Sequence, residues 1–420
     1  MKNYKLALSD EILMQVEKPA RYIGNEVNAV NKANDPNVDI RFAMCFPDVY
    51  EIGMSHLGIQ ILYGMLNQWD DVWCERVYSP WVDLDKIMRE KNIPLFGLES
   101  QDPIKDFDFL GITIQYEMCY TNILQVLDLA QIPLLAKDRT EEHPIVIGGG
   151  PCTYNPEPLA DFFDIFYIGE GETVFYDLMD QYKEWKASGK SKKEFLEMAA
   201  EIPGLYVPAF YDVTYNVDGT IERFTPNNEH AKPVIEKQIV MDVSNTYYPE
   251  KPVVPFIKAT QDRVVLEIMR GCIRGCRFCQ AGMLYRPTRQ KDVQVLKDYA
   301  YKMLKNTGHE EISLSSLSSS DYSQLEELVT FLIEEFKGKA INISLPSLRI
   351  DAFSLDVMSK VQDIRKSSLT FAPEAGSQRL RDVINKNITE EEIVNTCKLA
   401  FANGYTSVKL YFMLGLPTET

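Results

Sequence analysis

RGCIRGCRFCQAGMLYRP, residues 270–287, carries three of the eight cysteines of the 420-residue chain, spaced C-x-x-x-C-x-x-C at Cys272, Cys276 and Cys279. A tetrahedral structural zinc takes four nitrogen or sulfur ligands. None of the four histidines, His56, His143, His230 and His309, is near this stretch, so zinc would need a distant fourth ligand such as Cys397. Iron–sulfur clusters also ordinarily take four cysteines. Three thiolates therefore favour a cluster with one iron left open to a small molecule.

Outward from this stretch, the apolar run VVLEIM precedes the cysteines and an α/β series follows them. A helix is expected from Asp292 to Gly308, a strand at EISLSSL, a helix at YSQLEELVTFLIEEF and a strand at INISLP. A short helix, the strand SSLTFAP, a helix opened by Thr389 and the strand SVKLYFML complete the series. Glu390, Glu391 and Glu392 suit the positive first turn of that last helix. An eight-stranded barrel takes about 250 residues. The series from 256 to 420 has roughly 160, which predicts a partial (β/α) barrel lacking its C-terminal part.

C-x-x-x-C-x-aromatic-C, with Phe278 before the last cysteine, resembles the signature of the radical S-adenosylmethionine (SAM) superfamily. The resemblance implies that Cys272, Cys276 and Cys279 hold a 4Fe-4S cluster and that SAM chelates the fourth iron. One electron then splits SAM into methionine and a 5′-deoxyadenosyl radical, which abstracts hydrogen from the substrate. It further implies cofactor contacts at the carboxyl ends of the strands. Ser318 and Ser319, with Ser320, stand where many members carry Gly-Gly-Glu for the SAM amino group; Arg349 stands for the SAM carboxylate; Glu374 and Gly376 stand at the ribose; and Gly415 and Pro417 stand beside the adenine.

Upstream, residues 41–172 alternate apolar runs with amphipathic segments, as in doubly wound parallel α/β architecture. IRFAMCFP, DFLGITIQ, PIVIGGG and DIFYIGEGE read as strands, and HLGIQILYGMLN reads as a helix. PDVYEIGMSHLG is similar to the cobalamin-binding pattern D-x-H-x-x-G, with Asp48 and Gly53 in register and Tyr50 in place of the cobalt-ligating histidine. His56 reads as a capping or core residue. Gly148, Gly149 and Gly150 end a strand where a flat macrocycle or its nucleotide tail could approach. Residues 1–40 form a lead segment, and 173–255 read as a connecting region with an Asp-Gly turn at Asp218 and Gly219. With VEKPARYIGNEVNAVNK at the start and YIGEGE at 167–172, the whole chain is similar to cobalamin-domain radical SAM proteins of the Fe-S oxidoreductase type. The expected architecture is a Rossmann-like cobalamin-type domain followed by the partial barrel.

The remaining cysteines, Cys45, Cys74, Cys119, Cys152 and Cys397, show no pairing pattern, as expected in a reducing compartment. No apolar run reaches the eighteen or so residues of a membrane span and no signal-peptide core opens the chain, so a cytoplasmic protein is expected. A net charge of −17 argues against autonomous nucleic-acid binding. The cysteine loop departs from that balance: from Arg263 to Lys291 there are seven cations against the single acid Glu267. The partners implied are an unspecified substrate, a reducing electron donor and a protein supplying the absent C-terminal part. Three readings follow. The first is a radical SAM enzyme with cobalamin, suited to methyl transfer; the second is a radical SAM enzyme without cobalamin, such as an RNA methylthiotransferase type; the third is a non-catalytic electron-transfer protein whose cluster is closed by a fourth ligand such as Cys397.

Overall fold

The computed structural model describes residues 8–344, 369–402 and 404–420. It divides into two compact units, the first comprising 1–240 and 247–261, the second 241–246 and 262–420. Among the described residues no helix is long and apolar enough to cross a membrane.

The first unit is built on six strands: β1 (Ile40–Phe46), β2 (Val72–Tyr78), β3 (Phe109–Thr113), β4 (Ile145–Gly149), β5 (Ile165–Tyr167) and β6 (Leu205–Tyr206). Their order is β2-β1-β3-β4-β5-β6, with β1 to β5 parallel and β6 antiparallel to β5. Strands covered on both faces read as unbroken apolar runs, and β1, β3 and β4 are buried along nearly their whole length. The strand order reverses between β1 and β3, the switch point at whose carboxyl edge doubly wound folds bind ligands.

Strand β2 (VWCERVY) is buried at all seven positions despite Glu75 and Arg76. Buried charges persist only when paired. The Arg76 guanidinium donates to Glu26 at 2.5 Å and to Glu99 at 2.6 Å, while Glu75 receives Arg41.

The boundary expected at residue 172 is displaced. Helices Val174–Ser188 and Lys192–Glu201 follow it and bury Phe175, Leu178, Met179, Tyr182, Phe195 and Ala199 in the same core as the sheet. Amphipathic helices need such a surface for their apolar face. Gly189 ends the first helix in the left-handed conformation, and a capping box of Ser191 and Glu194 starts the second. Beyond them, β7 (Tyr211–Tyr215) and β8 (Ile221–Pro226) form the hairpin expected about Asp218 and Gly219. The Thr220 amide donates to Asp218 Oδ1 at 3.0 Å.

In the second unit β9 (Val264–Glu267) leads into β10 (Met269–Arg270), which pairs antiparallel with β11 (Arg289–Gln290) and pinches the base of the cysteine loop. Strands β12 (Glu311–Ser315) and β13 (Asn342–Ser344) complete a parallel sheet in the order β13-β12-β9. β14 (Leu369–Glu374) and β15 (Val408–Phe412) form a second parallel pair with an irregularity between Phe371 and Glu374. Helix Val293–Thr307 is capped by Asp292, which accepts from the Gln294 and Val295 amides, and ends at Gly308. With helices at Leu325–Glu335, Gln378–Val383 and Glu390–Ala402, this is the strand–helix alternation expected of a partial barrel.

Candidate functional site

Two sites emerge, one in each unit. In the second unit Cys272, Cys276 and Cys279 are partly exposed free thiols on the loop that β10 and β11 close. The Arg274 amide donates to Cys272 Sγ at 3.4 Å and the Gly282 amide to Cys279 Sγ at 3.3 Å. Amide donors aimed at sulfur are the surroundings in which proteins hold iron–sulfur clusters. Among the described residues no three His, Cys, Asp or Glu side chains converge on a single metal ion, so Cys397 joins no zinc-type set. That geometry does not weigh against a cluster, whose ligand sulfurs serve different irons and stand further apart.

Two anchors fix the loop. Arg274 forms a bidentate pair with Asp321, Nε at 3.1 Å and NH2 at 2.6 Å, and Asp321 also accepts from Ser318 Oγ at 2.7 Å. Ser318 and Ser319 are buried, and Ser319 Oγ lies 3.0 Å from Ser316 Oγ. The serine turn at the end of β12 thus braces the cysteine loop through an aspartate. The second anchor is the turn after helix Gln378–Val383. There the Arg277 amide donates to the Ile384 carbonyl at 2.9 Å and Asn385 Nδ2 to the Gly275 carbonyl at 2.8 Å.

Glu374 ends β14 with a left-handed φ of 68°, and Lys386 Nζ lies 3.2 Å from its carboxylate. The same ammonium lies 5.9 Å from the Phe278 ring centroid. The structure therefore links Phe278 of the cysteine motif to Glu374 through one lysine. Gly376 is exposed, with open space where a Cβ would stand. Gly415 and exposed Pro417 lie in a turn in which Glu419 accepts the Gly415 amide at 2.7 Å. Arg349 lies outside the described residues.

In the first unit the carboxyl edge gathers the ends of β1, β3 and β4. Asp48 follows β1, and its Oδ2 accepts from the Tyr116 hydroxyl at 3.0 Å, which raises the Tyr116 pKa. His56 caps helix Leu57–Leu66 by accepting the Ile59 amide on Nδ1 at 3.3 Å, and its ring packs against Phe46. Burial pushes its pKa down to about 4, with a hydrogen bond to Gln115 opposing, so the imidazole is neutral at physiological pH. Tyr50 faces elsewhere: it is 1% exposed and its hydroxyl donates to Glu26 at 2.7 Å. Gly53 packs under Tyr78, whose ring leaves no room for a Cβ. Of the glycines ending β4, Gly148 lies against Phe166, Gly149 opens onto free space, and Gly150 turns the chain with φ of 100°.

Sequence reasoning did not single out Asp321, Asn385, Lys386, Gln115 or Tyr116. Asp321 carried a signal, a carboxylate closing the serine run after a strand. Asn385 and Asn387, with φ of 55° and 49°, carried another, since asparagine tolerates the left-handed region.

Residues 58–208 match the family of N-terminal domains of radical SAM proteins, and residues 266–420 match the radical SAM superfamily. Uncharacterized protein MJ0966 of Methanocaldococcus jannaschii is 30% identical over 383 residues, covering 90% of this chain and 70% of the relative. The chain belongs to the radical SAM superfamily. Among solved structures, this radical SAM protein shares its fold with the cobalamin-dependent SAM radical enzyme OxsB, solved with aqua-cobalamin and SAM, at a TM-score of 0.58 and 15% identity over 89% of the chain. It spans 49% of that chain. It also shares it with the radical SAM methyltransferase TsrM of Kitasatospora setae, solved with cobalamin and a [4Fe-4S] cluster, at a TM-score of 0.57 and 12% identity, covering 90% of this chain and 70% of TsrM. It is a radical SAM enzyme, and superfamily membership implies a 4Fe-4S cluster and SAM.

Proposed function

We propose that Cys272, Cys276 and Cys279 hold the 4Fe-4S cluster with one iron left for SAM, that the first unit binds cobalamin, and that the reaction class is methyl transfer to a carbon of the substrate. The observation that carries the reading is the braced three-thiol loop, with backbone amides aimed at two of its sulfurs. Bound there, a cluster would supply one-electron reduction of SAM, and cobalamin in the first unit would supply a methyl carrier.

The chain's own residues have definable tasks. The three thiolates hold the cluster, while Arg274 and Asp321 fix the loop that presents them. Glu374 offers carboxylate oxygens to ribose hydroxyls, and Gly376 leaves the backbone open beside it. Ser318 and Ser319 are held inside their own turn, Ser318 Oγ donating to Asp321 and Ser319 Oγ lying beside Ser316 Oγ, which leaves lone pairs on both oxygens as acceptors for the SAM amino group.

In the first unit the open face at Gly149 and the turn at Gly150 suit the approach of a flat macrocycle or its tail, and Asp48 with Tyr116 supplies polar groups at the neighbouring strand ends. Tyr50 is committed to Glu26 and offers no ligand to cobalt. TsrM and OxsB, whose structures hold cobalamin, support the same reading through their fold.

The test is anaerobic reconstitution of the full chain with iron, sulfide and hydroxocobalamin, followed by desalting and by dithionite with SAM. About four irons per chain, retained cobalt and released 5′-deoxyadenosine are expected. Iron and nucleoside without cobalt would remove cobalamin and methyl transfer from the reading. Iron without nucleoside would point to a closed, non-catalytic cluster.

A further inference from the structure

The turn Val383–Asn387 does more than hold the cysteine loop. Lys386 sits between two left-handed asparagines, with φ of 55° at Asn385 and 49° at Asn387, a backbone conformation that persists only where the surroundings enforce it. The surroundings do so here. Asn385 is tied to the Gly275 carbonyl, the Lys386 amide donates to the Arg381 carbonyl at 2.8 Å, and buried Arg381 donates to the Ala375, Gly376 and Ile388 carbonyls.

The outcome is a lysine side chain only 10% exposed, aimed at a carboxylate that itself has positive φ, and set against the ring next to Cys279. An ammonium on a flexible four-carbon stem is normally left in water. Five ordered backbone and side-chain contacts that bring one into a cysteine loop call for an electrostatic reason.

We propose that Lys386 is a positioning residue that tunes the cluster electrostatically: its fixed charge favours the one-electron-reduced state of the cluster held by Cys272, Cys276 and Cys279, and Glu374 partly offsets it. The proposal rests on the three-cysteine reading above. A cation near an iron–sulfur cluster stabilises the added electron, because reduction makes the cluster one charge more negative and net local charge is a determinant of its potential. The two members of the pair must then act with opposite signs.

The experiment is an anaerobic redox titration of the iron-reconstituted full chain, following the electron paramagnetic resonance signal of the reduced cluster without SAM. Lys386→Met should shift the midpoint potential downward, Glu374→Gln upward, and Lys386→Arg should return it towards the parent value. Lys339→Met, which removes an exposed charge of the same unit, should leave it in place. Equal shifts from Lys386→Met and Lys339→Met, or shifts of the same sign from Lys386→Met and Glu374→Gln, overturn the proposal. Should Lys386→Met fail to retain iron, Glu374→Gln decides alone, an upward shift supporting the proposal and an unchanged or lower potential refuting it. A parent chain that takes up no iron defeats the three-cysteine reading itself.

Discussion

At the scale of single residues, chemistry is set by enclosure. His56 caps its helix with Nδ1 and is held neutral by burial, with its pKa at about 4, below the ordinary value of 6.5. A base whose folded pKa is depressed binds fewer protons folded than unfolded between those values, so stability is lost as pH falls from about 6.5 towards 4. The loss is at most about 3 kcal/mol. Asparagine keeps the cap but cannot titrate, so His56→Asn should flatten the fall in melting temperature between neutral and mildly acidic pH, measured by circular dichroism. An unchanged slope would place the titration elsewhere. Arg76 presents the opposite situation, a charge that is buried and kept. Its guanidinium is 2% exposed between Glu26 and Glu99, both 0% exposed. Removing one member of such a set leaves the others buried and uncompensated, at a cost of about 3–5 kcal/mol. Arg76→Met should therefore lower the urea midpoint of the first unit markedly, and Arg76→Met with Glu26→Gln and Glu99→Gln should recover part of it.

Elements show where pattern reading succeeds and where it stops. YIGEGE reads as a motif, and the structure supplies a backbone reason for its first glycine: Gly169 has φ of 143°, and a Cβ there would lie 2.4 Å from the Gln238 carbonyl oxygen. Residues about Gln238 bond to both sides of Gly169, the Gln238 amide to Ile168 and the Glu170 amide to Gln238. Gly169→Ala must push this crossing segment away, and a loss of about 2 kcal/mol or more is expected, together with faster amide exchange at Gln238 and Val240. Strands β1, β3 and β4 were legible because a strand covered on both faces is a plain apolar run, and the cysteine loop was legible because its spacing has few other uses. β2 was not, since Glu75 and Arg76 in its middle resemble a surface segment until Arg41, Glu26 and Glu99 arrive from distant parts of the chain. The helices after residue 172 were hidden for a related reason: their apolar faces are interrupted by lysines and acids, and only the sheet beneath shows which side is buried. Lys386 and Asp321 escaped because their ion pairs, made across 12 and 47 residues, leave no local period.

At the scale of the whole molecule the question is what the charge distribution can bind. The cysteine loop carries seven cations from Arg263 to Lys291 in a chain of net charge −17, and taken alone it resembles a phosphate-binding patch. The structure pairs three of them with carboxylates and holds others against backbone carbonyls. Arg263 pairs with Glu311 at 2.7 Å, Arg270 with Glu267 at 3.0 Å and Arg274 with Asp321 at 2.6 Å. Arg286 and Arg289 donate to the carbonyls of Arg274 and Pro287. A nucleic acid approaching this surface would release fewer counterions than seven free cations allow, the step that drives non-specific affinity, while meeting the repulsion of an acidic chain of net charge −17. The full chain should therefore leave a folded transfer RNA unretarded in a gel-shift titration at about 0.1 M salt, up to protein concentrations of tens of micromolar, well above the tight end of the range of about 1–100 µM in which non-specific dissociation constants fall. Binding tighter than about 1 µM that weakens steeply with salt would show that the paired arginines are released to phosphate, and would move the search for the acceptor from small molecules to RNA.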